Sequence, residues 1–288
     1  MSCKLCLKKP VIKLANNNIK LCKIHFMHYF EKKVLRTIRK YDLLDDCKRI
    51  GAAVSGGKNS LIVLSILNKL IKQRISKKMQ LIAIYIDEGI KNHSEKNKKL
   101  LKKFCAENRI KLYMHKIKNA KKTNTSAAYG ILIRNLLNKK ARELKIERLA
   151  TGHNLDSEAE TILMNQLRND MEKSSRLGVI VNADDYRFVP RIKPLYFITE
   201  NESLLYAKLN KIKDVKNPFS DSLRDKVRII LNAMEARYPG TKSNVINSFL
   251  EILPSLKKKY GKKIKNCRIC NEPCSQDVCN SCSFLKTR

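Results

Sequence analysis

GAAVSGGKNS, residues 51–60, is the stretch whose reading decides the fold. A short apolar run turns there through two glycines into an amphipathic segment, Leu61–Ile71, the pattern of a strand, a tight loop and a helix. Adjacent glycines let backbone N–H groups approach an anion without a Cβ in the way. Ser55, Lys58 and Ser60 add hydroxyls and a cation beside a helix N-terminus, so the loop suits phosphate. The spacing is not that of a Walker loop, which places four residues between its first glycine and a Gly-Lys pair. A bare SGG is equally compatible with a plain glycine turn, and the rest of the chain must decide.

The 288 residues suffice for one sizeable core with small appendages, and a hydrophobic fraction of 43% is ordinary for a globular protein. With 61 Lys and Arg against 26 Asp and Glu, the formal charge of +35 exceeds what solubility requires and points to an extended polyanion, nucleic acid being the natural choice. A lysine-rich or thermophilic composition is the competing explanation of the same charge. No run of 18 apolar residues and no secretory leader pattern is present, so an intracellular, cytoplasmic protein without a membrane partner is expected. Eight of the ten cysteines lie near the two ends, with only Cys47 and Cys105 between, which suits metal sites in a reducing compartment better than a disulfide framework.

Cys3-x2-Cys6 and Cys22-x2-His25 pair at knuckle spacing and can close a tetrahedron around zinc, with a hairpin between the pairs. Cys267-x2-Cys270 and Cys279-x2-Cys282 form a second set, with Cys274 as a spare. The expected organisation is a finger at 1–28, an α/β domain with a helical C-terminal part at 29–260, and a finger at 261–288. Helical spacing runs through Phe26–Leu43, whose basic face (Lys32, Lys33, Arg36, Arg39, Lys40) could track a phosphate backbone or simply be solvated. After the loop, strand 81–90 ends in Asp87 and Glu88. Helix Ser94–Glu107, strand Lys111–Ile117, helix Gly130–Leu144, strand Arg148–Ala150 and helix Asp156–Arg168 continue the alternation. The pattern predicts a doubly wound parallel sheet. Residues 186–199 read as a strand and loop, followed by helices Glu200–Lys211, Ser222–Tyr238 and Lys242–Lys259.

SGGKNS, IDEGI (86–90), ATGHNLD (150–156) and VPRIKPL (189–195), in this order between two metal-ligand clusters, resemble the TtcA/TtuA family of tRNA 2-thiolation enzymes within the ATP pyrophosphatases, over nearly the whole chain. The resemblance implies tRNA and ATP with magnesium as ligands, adenylation of a tRNA pyrimidine O2, then sulfur transfer. It further implies a sulfur carrier protein as donor and a two-fold dimer. By the same resemblance Ser55, Gly56, Gly57, Lys58, Asn59 and Ser60 hold the phosphates, Ile84 lies along the adenine, Gly152 and His153 line the far wall, and Asp156 is the candidate catalytic carboxylate.

The chain departs from that family at several positions. Where members similar to TtuA carry three cluster-binding cysteines, this chain has Ser126-Ala127-Ala128-Tyr129-Gly130 and Asn217-Pro218-Phe219, so no iron-sulfur cluster is expected. Asn59 and Ser157 stand in place of aspartates, and Ile133 in place of a basic residue with Arg134 beside it. Three functions remain open: a thiolation enzyme working without the cluster, a noncatalytic paralogue that binds tRNA and nucleotide as a partner, and a DNA-binding zinc protein. The last lacks any groove-reading helix outside the fingers.

Overall fold

The computed structural model describes residues 2–14, 18–73, 79–90, 92–117, 126–181, 185–215, 222–261 and 264–286. A short antiparallel hairpin, β1 (Ile12–Lys13) and β2 (Lys20–Leu21), leads into α1 (Lys23–Lys40). Then β3 (Arg49–Ala53), α2 (Lys58–Gln73), β4 (Gln80–Asp87), α3 (His93–Asn108), β5 (Lys111–Lys116), α4 (Ser126–Glu143), β6 (Arg148–Ala150) and α5 (Leu155–Leu167) alternate as expected. The chain continues through α6 (Met171–Ser174), β7 (Ile180–Val181), β8 (Arg191–Ile192), α7 (Glu200–Leu209), α8 (Ser222–Arg237) and α9 (Thr241–Tyr260). It ends in β9 (Lys265–Asn266), β10 (Pro273–Cys274) and α10 (Asn280–Lys286).

The six-stranded sheet has the order β5-β4-β3-β6-β8-β7, parallel except for the β7–β8 pair. From β3 the chain winds outward to β4 and β5, then returns to β6 on the other side of β3. Loops leaving β3 and β6 therefore diverge at the carboxyl edge, and the crevice between them is where such sheets bind ligands. Alternation along β4 sorts the two faces. Ile82, Ile84 and Ile86 face α4 with Leu132, Leu137 and Ala141, whereas Ala83 and Tyr85 face α2 and α3 with Leu61, Leu64 and Leu101.

Boundaries shift from the sequence reading for local reasons. α2 begins at Lys58 rather than Leu61, because Ser60 and Leu61 both donate their N–H to Gly57 O and close the first turn early. β4 stops at Asp87, not residue 90: the Asp87 carboxylate accepts from Gly89 N at 2.9 Å and turns the chain. α4 extends back to Ser126, since small residues before the apolar stripe are tolerated in a first turn. The expected strand within 186–199 contracts to Arg191–Ile192, and β7 and α6, both too short for a periodic signal, were not expected.

Neither terminal unit is loosely attached. Cys3, Leu14, Leu21 and Cys22 belong to the same buried cluster as Phe26 and Phe30 of α1, and Phe30 stacks on Tyr206 with centroids 4.1 Å apart. At the other end Arg142 of α4 pairs with Glu272 at 2.5 Å, and Arg187 donates to Ile264 O at 2.8 Å.

Candidate nucleotide site and metal centres

The turn after β3 holds Gly56 at φ +84°, and a Cβ there would lie 2.0 Å from Asn97 Oδ1, so only glycine fits. Ser60 is buried. Its hydroxyl donates to Gly57 O at 2.7 Å and accepts from Ser55 N at 3.3 Å, while Gly57 N donates to Ser55 Oγ at 3.4 Å. The two serines thus brace the loop internally and leave its open side to a ligand. Gly152, just past β6, lies flat against this braced turn: a Cβ on it would stand 2.6 Å from Ser60 N and 2.8 Å from Asn59 C. The two diverging loops therefore touch at Gly152, and the crevice wall is continuous from SGGKNS to His153.

Glu200, the first residue of α7, closes the crevice and was not singled out from the sequence. Its carboxylate takes Lys58 Nζ at 2.5 Å, Asn154 Nδ2 at 2.8 Å and Asn59 Nδ2 at 3.4 Å. Burial opposes ionisation, but Lys58 first and the two carboxamides after it hold this carboxyl below the ordinary carboxylate range. Asn59 has its other amide atom, Oδ1, buried without a hydrogen-bond partner among the described residues. The only sequence signal for Glu200 is its place one residue after the helix cap Thr199, whose capping box with Glu202 is formed.

The expected site residues fall into three groups. Ser55, Gly56, Gly57, Lys58, Asn59, Ser60, Gly152 and His153 converge on the crevice. Ile84 has its side chain 1% exposed beneath α4 and its carbonyl accepting from Val54 N at 2.9 Å, so any contact it makes with an adenine is through its backbone. Strand alternation turns the side chain at position 84 to the core face. Asp156 has both oxygens engaged, one by Glu200 N at 2.7 Å and the other by Lys242 Nζ. That anchors α7 and α9 to α5, so Asp156 positions Glu200 rather than presenting a free carboxylate. Ser157 completes a capping box with Asn154, the two exchanging side-chain to backbone bonds of 2.9 and 3.0 Å, which accounts structurally for serine there.

On the opposite wall Ile133 packs against the α4 cluster, and Arg134 beside it is solvent-exposed, its guanidinium over Gly130. His153 accepts or shares a bond with Thr151 Oγ1 at 3.1 Å. Desolvation within the crevice first, and then the cations Lys193, Arg191, Arg224 and Arg134, lower its imidazole below the usual histidine range, although the ring keeps a solvent-exposed side. Lys193 and Glu158 form a buried pair at 2.7 Å, and Arg224 and Arg228 share Glu160 at 3.1 and 2.8 Å.

Each terminal cluster gathers four ligand atoms within 4.8 Å of one another: Cys3, Cys6, Cys22 and His25, and Cys267, Cys270, Cys279 and Cys282. A tetrahedral zinc with Zn–S near 2.3 Å and Zn–N near 2.05 Å spaces its ligands by about 3.8 Å (S to S) and about 3.6 Å (S to N). Cys6 and Cys22 sulfurs are 3.7 Å apart, Cys270 and Cys279 sulfurs 3.6 Å, and His25 Nδ1 is 3.4 Å from both Cys3 and Cys22. Both sets therefore fit a single tetrahedral ion. Cys274 turns away to Gln276 O, and Cys47 and Cys105 are buried in separate cores. Of the positions expected to lack cluster ligands, Tyr129 is buried in the α4 core, and 217–219 lie outside the described residues.

A switch-point crevice, a glycine loop braced for anions and a helix N-terminus behind it define a PP-loop nucleotide-binding protein, and a family model described as the PP-loop domain matches residues 26–233. The tRNA-5-methyluridine(54) 2-sulfurtransferase of Pyrococcus horikoshii is 34% identical, covering 99% of this chain and 93% of its own length. Cytoplasmic tRNA 2-thiolation protein 1 of Aspergillus niger is 28% identical over 97% and 86%. Among solved structures, the U34-tRNA thiolase NcsA of Methanococcus maripaludis with its [4Fe-4S] cluster superimposes at a TM-score of 0.87 with 30% identity, covering 100% of this chain and 96% of that one. The chain belongs to the PP-loop family of tRNA 2-thiolation proteins. Among the described residues no helix is long and apolar enough to cross a membrane.

Proposed function

We propose that this chain binds ATP with magnesium in the SGGKNS crevice and a tRNA across its basic surface. Its proposed reaction is the tRNA 2-thiolation its relatives are named for, carried out as adenylation of a tRNA pyrimidine O2 followed by sulfur transfer. The observation that carries the reading is the contact of Gly152 with the braced loop, which keeps the phosphate cradle and the far wall as one surface. Ser55 to Ser60 would hold the phosphates, with Lys58 exchanging Glu200 for a phosphate oxygen. Magnesium is a hard cation, and Glu200 is the carboxylate nearest the loop that fits it. Zinc at each end, in fingers 1–28 and 261–288 flanking a domain at 29–260, would hold the termini. Of the basic face of α1, Lys33 is turned inward onto Glu202 at 2.9 Å, leaving Lys32, Arg36, Arg39 and Lys40 for RNA. A cytoplasmic location, a sulfur carrier as donor and a two-fold dimer complete the proposal.

A second reading is favoured by Asn59, whose amide is spent on Glu200, and by Ser157, which is spent on a helix cap. In that reading the chain binds both ligands as a noncatalytic partner, without a cluster. Purified protein given ATP, magnesium and tRNA separates the two. Pyrophosphate released at about one per second, toward the low end of ordinary turnover, supports the enzyme. Nucleotide and tRNA binding without release, restored to release by Asn59→Asp with Ser157→Asp, supports the partner. Metal analysis should find two zinc ions per chain; stoichiometric iron with a charge-transfer spectrum would refute the cluster-free assignment in both.

A further inference from the structure

Arg134 and Arg191 come near one another toward the carboxyl edge of the sheet, close enough for the charge of Arg134 to be felt at Arg191. Asn138 of α4 is stitched to the strand entering β8: its Oδ1 accepts from Val189 N at 2.9 Å and its Nδ2 donates to Arg187 O at 3.3 Å. One turn back along α4, about 6 Å, is Arg134 on the same face. Two residues forward from Val189, again about 6 to 7 Å and in the same direction, is Arg191 on the same side of its strand. The Arg134 guanidinium leans back over Gly130, its Nη1 3.5 Å from where a Cβ there would stand, and so toward the crevice mouth. His153 stands beside both, next to Gly152 and the phosphate loop.

The charge of this pair is unbalanced. Lys193 and Arg224 are neutralised by Glu158 and Glu160, but no ion pair or hydrogen bond among the described residues reaches Arg134 or Arg191. Glu158, whose charge is felt at Arg191, is already held by Lys193. Burial first, and then Arg134, pull the Arg191 guanidinium down to about 10. Two arginines that repel each other in a concave site cost stability. Such an arrangement is relieved by a bound oxyanion, which a guanidinium fork grips bidentately.

We propose that Arg134 and Arg191 form a second oxyanion clamp in the crevice, taking one phosphate group besides those cradled by the SGGKNS loop. The clamp rests on the reading that the crevice meets ATP and tRNA, and its phosphate belongs either to the nucleotide or to the RNA backbone. The test uses the full chain and its variants Arg134→Gln and Arg191→Gln, with titrations of pyrophosphate, ATP and tRNA at several salt concentrations and thermal unfolding of each protein. Loss of pyrophosphate and ATP affinity on the order of tenfold per arginine, with tRNA unaffected, supports a nucleotide phosphate. Weaker tRNA binding with a salt slope shallower by about 0.7 to 0.9 per arginine, and pyrophosphate unaffected, supports the RNA backbone. In either case both variants should unfold at the same or a higher temperature, because a repulsion has been removed. Unchanged affinity for all three ligands, or a lowered unfolding temperature in both variants, overturns the clamp. Wild-type protein that binds pyrophosphate through the arginines but neither ATP nor tRNA would sink the proposed function while sparing the clamp.

Discussion

Gly152→Ala tests whether the phosphate loop and the far wall are one rigid surface. The added methyl would meet backbone, not flexible side chains: Ser60 N at 2.6 Å, Asn59 C at 2.8 Å and Ser60 Cα at 3.0 Å. An ordinary contact begins near 3.4 Å, so the N-terminal turn of α2 must retreat by about 0.8 Å. That turn is braced by Ser60 and covered by Glu200, and an overpacked site of this kind costs about 1–3 kcal/mol. The retreat also displaces the N–H groups that cradle phosphate, and a loss of about 1.4 kcal/mol corresponds to tenfold in affinity. Urea unfolding should show a lowered midpoint with unchanged slope, and calorimetric titration should show ATP affinity reduced by about tenfold or more. A variant with wild-type midpoint and wild-type ATP affinity would refute the reasoning, for the loops would then have no need of contact.

Two further outcomes concern charge. Glu158→Gln leaves Lys193, 5% exposed, as an uncompensated buried cation and should destabilise the fold by about 3–5 kcal/mol in urea unfolding, whereas Glu158→Gln with Lys193→Met should recover most of it; equal losses in the two would show the pair is not the cause. Glu88 at the end of β4 is pushed up to about 7 by burial and then by Asp87, so its folded form holds a proton more tightly than the unfolded chain. Its contribution is complete below pH 4.5 and lost as pH rises toward 7, so Glu88→Gln should match the wild type near pH 4 and exceed it in stability at pH 7 and above. A stability difference that is flat across that window would refute the assignment.

The sequence by itself determined the alternation of strands and helices, the phosphate loop and both metal tetrads, because each is encoded locally. Two glycines after an apolar run, an apolar period of 3.6 and cysteines two residues apart carry their geometry within a few positions. Its resemblance to the 2-thiolation family added the expectation that Asn59 and Ser157 stand where that family has aspartates. Tertiary structure alone decided what those alterations meet. Glu200 lies 141 residues from Asn59, yet its carboxylate binds the Asn59 amide, and Asp156 proves to be tied to Lys242. For Ile84 the strand reading fixes alternation but not which face of the sheet its side chain meets. The Arg134 and Arg191 pair is likewise invisible in a chain so rich in basic residues. Only the antiparallel run of α4 past β8 at the Asn138–Val189 contact brings two of its many cations near one another with no ion pair to either among the described residues.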